Sequence, residues 1–129
     1  MFMKFTSSFK EKHTFAERRV ESVHIMQKYP LRVPVICERS GTTDIPLIDK
    51  NKYLVPMDLL AGQFMHVIRK RLKLDAAKAI FLFINNQVIP SSSTSLGIIY
   101  EEHKAEDGFL YITYSGENTF GSKNLLYKK

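Results

Sequence analysis

The sequence predicts an α+β domain: a leading helix, a hairpin of two short strands, a crossing helix, then two further strands with a short helix between them. Three observations carry that prediction. Residues 32–38 and 51–56 read as strands, the first with clear alternation of faces, and the turn-rich Ser40-Gly41-Thr42-Thr43-Asp44 lies between them. Phe64, Val67, Ile68, Arg71 and Leu72 then recur at helical spacing. At 129 residues, 44% hydrophobic with only 6 Gly and 5 Pro, the chain suits one packed domain rather than a disordered one.

In the segment from about Ser8 to Tyr29, Phe15, Arg18/Arg19, Ser22 and Ile25/Met26 fall on one side of a helix. Ala16, Val20, Val23 and Gln27 follow another, so apolar residues remain beyond the core face. Thr14 is the N-cap of its main part, with Glu17 as capping-box partner, and Tyr29-Pro30 ends it. The first strand places Val33, Val35 and Cys37 on one face and Pro34, Ile36 and Glu38 on the other. Asn51–Pro56 is the second strand. Pro34 and Pro56 belong where a missing N–H faces no partner strand. Asp58 is expected to cap a helix running to about Leu72. Ala79–Ile84 is a third strand, Asn85-Asn86 a turn, Leu96–His103 a short helix and Phe109–Tyr114 the last strand. This order is that of a ubiquitin-like β-grasp: a four-stranded mixed sheet crossed by a helix, with the leading helical segment added.

The formal charge is +6, but Lys123, Lys128 and Lys129 of the tail supply half of it. A nucleic-acid partner is therefore not expected, and no aromatics interleave with the basic residues as a stacking platform requires. The longest apolar run is Ala79–Ile84, far short of a membrane span, and the N-terminus lacks the apolar core of a signal peptide. One cysteine excludes an internal disulfide or a multi-cysteine metal site. The expectation is a soluble, cytoplasmic protein.

Cys37 could serve as a nucleophile with His13, His24, His66 or His103 as base, yet it alternates with Val33 and Val35 as a small apolar residue does. Neither His66 nor His103 has a second ligand at metal spacing, and no phosphate-cradling or dinucleotide motif occurs. The sequence points to no enzyme and no cofactor. The basic run Arg69-Lys70-Arg71 with Lys73 reads either as a solvated helix end or as the rim of a site for an acidic peptide. Phe81 and Phe83 make the third strand apolar on both faces, for which cover by the N-terminal helices is the expected reason and a second binding surface the alternative.

Several blocks are more particular. Arg32-Val33-Pro34-Val35-Ile36-Cys37-Glu38, Lys50 through Leu59, Gly62-Gln63-Phe64 with Val67 through Arg71, and Asp107 through Tyr111 with Tyr114 through Gly121 together resemble the ubiquitin-like autophagy modifiers. The resemblance spans about Phe9 to Gly121. It implies a β-grasp with two additional N-terminal helices over residues 1–121, and a propeptide at 122–129. It further implies trimming after Gly121, next to Phe120, by a processing cysteine protease. Activating and conjugating enzymes of the ubiquitin type would then pass the exposed carboxylate to the amine of phosphatidylethanolamine. Glycine suits that role, since no Cβ obstructs a narrow cleft or an attacking amine. The conjugate would sit on autophagosome membranes, and the unconjugated form in the cytoplasm.

The resemblance also implies a groove for receptors carrying an aromatic-x-x-aliphatic motif, which would add as a strand near Lys52–Leu54. Its aromatic pocket would comprise Glu21, Ile25, Pro34, Ile36, Lys52, Leu54 and Phe109. The aliphatic pocket would comprise Tyr53, Val55, Pro56, Leu59, Phe64 and Val67, with Arg32, Lys50 and Arg71 meeting acidic flanking residues. Alternation supports the partition, since Lys52, Leu54 and Pro56 share one strand face and Tyr53 and Val55 the other. Some positions depart from the family pattern: Thr14 where proline is common, Leu31 where an acidic or polar residue is usual, and a longer Ser91–Ser95 stretch. The competing reading is an unconjugated β-grasp peptide-binding adaptor in vesicle trafficking.

Overall fold

The computed structural model describes residues 7–41, 43–89 and 91–116. Strand β1 (Arg32–Arg39) lies antiparallel to β2 (Lys52–Pro56) on one side and parallel to β5 (Leu110–Gly116) on the other. β5 pairs antiparallel with β3 (Ile80–Ile84), which pairs with the two-residue β4 (Gln87–Val88). The sheet order is β2-β1-β5-β3-β4, the mixed β-grasp arrangement expected, with β4 as a short fifth strand. β4 exists because Asn85 and Asn86 both take positive φ, 54° and 65°, and turn the backbone onto β3 as a two-residue hairpin.

Among the described residues four helices accompany the sheet: α1 (Ser8–Lys12), α2 (Phe15–Lys28), α3 (Ala61–Leu72) and α4 (Leu96–His103). The leading segment is therefore two helices, as the resemblance implied, where the residue pattern alone read one. Thr14 is the reason: as N-cap of α2 it has extended backbone, which a continuous helix could not pass through. Its side chain accepts from the Glu17 amide and Glu17 accepts from the Thr14 amide, so the expected capping box forms.

Asp58 does not cap α3. It lies in the turn after β2, and the helix begins three residues later with Leu60 at the N-cap position. The free amides of the first turn are taken from elsewhere: Ala61 donates to the Thr94 carbonyl and Gly62 to that of Ser92. With those donors satisfied, no polar residue is needed at the N-cap.

One sheet face packs against α3 and α4, joining Val33, Val35, Cys37, Tyr53, Val55, Leu82, Ile112 and Tyr114 to Phe64, Ile68, Leu96 and Ile99. The opposite face carries a second apolar cluster of Phe9, Ile36 and Phe109 beneath α1 and α2. Phe81 and Phe83 are half-buried, while Ile80, Leu82 and Ile84 of the same strand are buried. Pro56 ends the edge strand, and Pro34 precedes the start of the β1–β5 pairing at Val35, so neither leaves a ladder bond unmade.

Candidate functional site

β2 is an edge strand, and its register decides which backbone groups are free. Cys37 donates to the Asn51 carbonyl and Met57 to that of Leu31, which fixes the hydrogen-bonded pairs of the β1–β2 ladder. Tyr53 and Val55 face β1 in the same phase, so the N–H and C=O of Lys52 and Leu54 point away from the sheet. Arg32 Nη1 donates to the Leu54 carbonyl oxygen at 3.4 Å, a hydrogen bond that an added strand would have to displace. The open edge is thus a short template for an added strand.

The register also divides the side chains. Pro34 and Ile36 lie opposite Leu54 and Lys52, on the α1–α2 face. Lys52 forms an ion pair with Glu21 of α2, which spans the mouth of the predicted aromatic pocket. Ile25 and Leu54 are half-buried there, whereas Pro34, Ile36 and Phe109 are buried and form its floor.

The floor has one further member that sequence reasoning missed. Phe9 of α1 is buried against Ile36 and Phe109, its ring centroid 5.2 Å from that of Phe109 and 5.5 Å from Lys52 Nζ. Glu38 holds α1 in place: its carboxylate accepts from the Ser7 hydroxyl at 2.6 Å and from the Phe9 amide at 2.9 Å. Lys10 Nζ also lies 4.3 Å above the Tyr111 ring. A signal existed, because Phe9 is the one apolar residue in Ser7–His13.

Of the predicted aliphatic pocket, Tyr53, Val55 and Phe64 are buried in the core, with Tyr53 and Phe64 edge to face at 5.6 Å. Pro56, Leu59 and Val67 retain accessible surface, so the first three can only be a floor. Burial raises the Tyr53 phenol above its ordinary value, and its hydroxyl has no hydrogen-bond partner among the described residues. Lys50 Nζ sits 5.2 Å from the Tyr53 ring. Arg71 is already engaged: Nε donates to Asp49 at 2.8 Å and Nη2 at 3.4 Å. That hydrogen bond holds the Asp49 carboxyl below its usual range, and an acidic ligand would have to displace it. Gly121 and Phe120, and the 122–129 segment, lie outside the described residues.

The loop before β5 carries the aromatic floor into position. Asp107 is buried; it accepts from Arg18 Nε at 2.7 Å, from the Phe109 amide at 3.0 Å and from the Tyr111 hydroxyl. Its backbone carbonyl accepts from Ser22, so α2 is clamped to this loop. Burial pushes the Asp107 carboxyl upward, but these hydrogen bonds outweigh it and hold the group below its ordinary value. Gly108 has φ +93°, and a Cβ there would lie 2.2 Å from Ser22 Oγ, so only glycine fits.

Cys37 is fully buried, and burial together with Glu38 raises its thiol far above the range of a reactive thiolate. Among the described residues no group of three His, Cys, Asp or Glu could hold a metal ion. No described helix is long and apolar enough to cross a membrane.

A β-grasp sheet preceded by two helices, with an open edge strand between two apolar faces, defines a ubiquitin-like protein with a peptide-sized edge. Residues 17–121 match the family described as autophagy protein Atg8, ubiquitin-like. The protein belongs to the Atg8 family. It is 60% identical over 115 residues to autophagy-related protein 8 of Mycosarcoma maydis, covering 89% of this chain and 97% of that one. The corresponding protein of Schizosaccharomyces pombe is 59% identical over 116 residues, covering 90% and 95%. The crystal structure of Trypanosoma brucei ATG8 superposes with a TM-score of 0.82 at 44% identity, covering 88% of this chain and 97% of that one.

Proposed function

We propose that this protein is a lipid-conjugated autophagy modifier that also captures receptors through the β2 edge. The observation that supports the reading best is the pair of outward backbone positions, Lys52 and Leu54, between an Ile36–Phe109 floor on one face and a Leu59–Val67 surface on the other. An extended aromatic-x-x-aliphatic peptide would gain main-chain hydrogen bonds there and seat alternate side chains on opposite faces. Such a short peptide binds at about micromolar affinity, about −8 kcal/mol, and many copies on one membrane raise this by avidity.

Conjugation would proceed through Gly121 after removal of 122–129 by a cysteine protease, with activating and conjugating enzymes delivering the protein to phosphatidylethanolamine. The protein is then the substrate of those enzymes and a binding surface, not itself a catalyst. Two acyl chains, at about 0.8 kcal/mol per buried CH₂, give a stable anchor to autophagosome membranes without an apolar span.

The test is the intact mass of the full-length protein after incubation with the family's processing protease, beside a Gly121→Ala variant. Loss of the mass of Ser122–Lys129, blocked in the variant, is the expected result. An uncut protein would overturn the modifier mechanism and leave an adaptor that uses the edge alone.

A further inference from the structure

We infer that a cavity between β4 and α4 seats the chain's own C-terminal segment, with Leu125 or Leu126 filling it and Lys128 and Lys129 meeting Glu102. The cavity holds about 130 Å³ and is lined by Ile84, Val88, Ile89 and Ile99, with Glu102 and His103 at its surface. β4 has two residues and α4 eight, so neither extends far enough to close the space between them. Ile84 and Ile99 are buried core residues that form the floor, whereas Val88 is 43% exposed at the rim. A dry space of this size takes one aliphatic side chain or one ring.

Reach and charge identify the occupant. Gly116, the last described residue, lies opposite Ile80, and residues 117–129 follow it. β4 stands two strand spacings from β5, about 10 Å, and Ile84 is about 13 Å along β3 from Ile80. Residues 117–124 span up to about 26 Å when extended, which brings Leu125 to the cavity and leaves Lys128 and Lys129 beyond it. The end of α4 carries Glu101, Glu102, His103 and Lys104, with Glu106 just after it. Glu101 is paired with Lys104 at 3.3 Å, and Arg19 of α2 lies 3.5 Å from the Glu106 carbonyl. β3, β4 and residues 91–95 contribute no charge. Glu102 thus keeps a carboxylate at the cavity, with His103 beside it at 3.8 Å. The segment from Ser122 onward offers Lys123, Lys128 and Lys129, three large apolar residues and no acid. A tether this short gives an effective concentration of about millimolar, so a contact too weak to hold a free peptide still forms. The seating does not depend on conjugation, but its consequence does. Trimming after Gly121, as proposed above, would bare an apolar cavity that the uncut chain covers.

The test is nuclear magnetic resonance of the methyl-labelled full-length protein, beside Leu125→Ser/Leu126→Ser and Glu102→Lys variants. Through-space contacts should join the Leu125 or Leu126 methyls to those of Ile84, Val88 and Ile99. In the tail variant the methyl resonances of those three residues should shift, while those of Val33 and Ile112 stay and report an intact fold. Glu102→Lys should move them part of the way to the same positions, and no movement would overturn the pairing with Glu102. Absent contacts, or cavity resonances unmoved in the tail variant, would overturn the seating. A shift that grows with protein concentration would also overturn it, by assigning the cavity to the tail of a second copy. None of these readouts uses the processing protease. A seated tail that is never cut would therefore overturn the trimming reading alone, and a cut tail without contacts the seating alone.

Discussion

Phe9 of the first helix and Phe109 at the start of the last strand meet edge to face, ring centroids 5.2 Å apart, over the side chain of Ile36. The contact joins the N-terminal extension to the floor of the aromatic pocket. α1 is too short to be stable alone, so its order depends on this ring and on the Glu38 carboxylate. Phe9→Ala should cost about 3–5 kcal/mol, the range for truncating a buried aromatic. Hydrogen exchange should show protection lost across residues 8–12 while β1 and β5 keep theirs. Unchanged protection in α1 would show that Glu38 alone suffices. The same variant should alter affinity for the aromatic residue of a bound peptide.

Asp107 gives a pH dependence of known sign. Its folded-state value lies below the ordinary carboxyl value of about 3.9, so it contributes stability above that pH. The contribution is lost as pH falls through the lower folded-state value. Asp107→Asn removes the charge that Arg18 is buried against and should destabilise by about 3 kcal/mol at neutral pH. Chemical denaturation from pH 7 to 3 should show a shallower decline in the variant than in the unsubstituted protein. Parallel declines would mean that other carboxylates dominate the acid limb.

Gly108→Ala tests the same loop sterically. Both the positive φ and the overlap with Ser22 oppose a methyl group, and each costs about 1–3 kcal/mol. The expected outcome is a folded protein with a clearly lowered denaturation midpoint. Gly41→Ala is the comparison, since it has a positive φ but open space around it. It should cost less, and equal losses would show that backbone strain alone sets the effect.

Much of the fold was legible because its strands and caps have local causes. Alternation placed Val33, Val35 and Cys37 in the core and Ile36 on the other face, and the Thr14–Glu17 box is a local chemical device. The misplacement of Asp58 has the opposite origin. The start of α3 is set by the Thr94 and Ser92 carbonyls, which are remote in sequence and leave no mark on residues 58–61. β4 was hidden for a related reason, being a two-residue strand that depends on β3. In the candidate site, alternation puts Tyr53 and Leu54 on opposite faces but leaves open which is buried, and the contribution of Phe9 does not follow from it at all. A lone phenylalanine in a polar segment shows that something is buried, not what it is buried against. Likewise Asp49 and Arg71 meet only because the loop after β1 returns beside α3.

The outward backbone of β2 permits a prediction that separates folding from binding. Leu54 N–H points away from the sheet, while Val55 N–H belongs to the ladder with Val33. Replacing an amide by an ester removes the donor and keeps the side chain. An ester at the Leu54 amide removes no donor from the sheet and only weakens the Tyr53 carbonyl as a ladder acceptor, so it should cost at most about 1 kcal/mol of stability. It should weaken an aromatic-x-x-aliphatic peptide by about one hydrogen bond, roughly 1 kcal/mol or fivefold in affinity. An ester at the Val55 amide should do the reverse, costing roughly 1–2 kcal/mol of stability while keeping the outward Leu54 N–H and weakening only the Leu54 carbonyl as an acceptor, so that peptide affinity falls less than in the Leu54 ester. Denaturant unfolding and peptide titration on both semisynthetic proteins would read the two effects separately. Full peptide affinity in the Leu54 ester would exclude strand addition at β2, even if both apolar faces were still used.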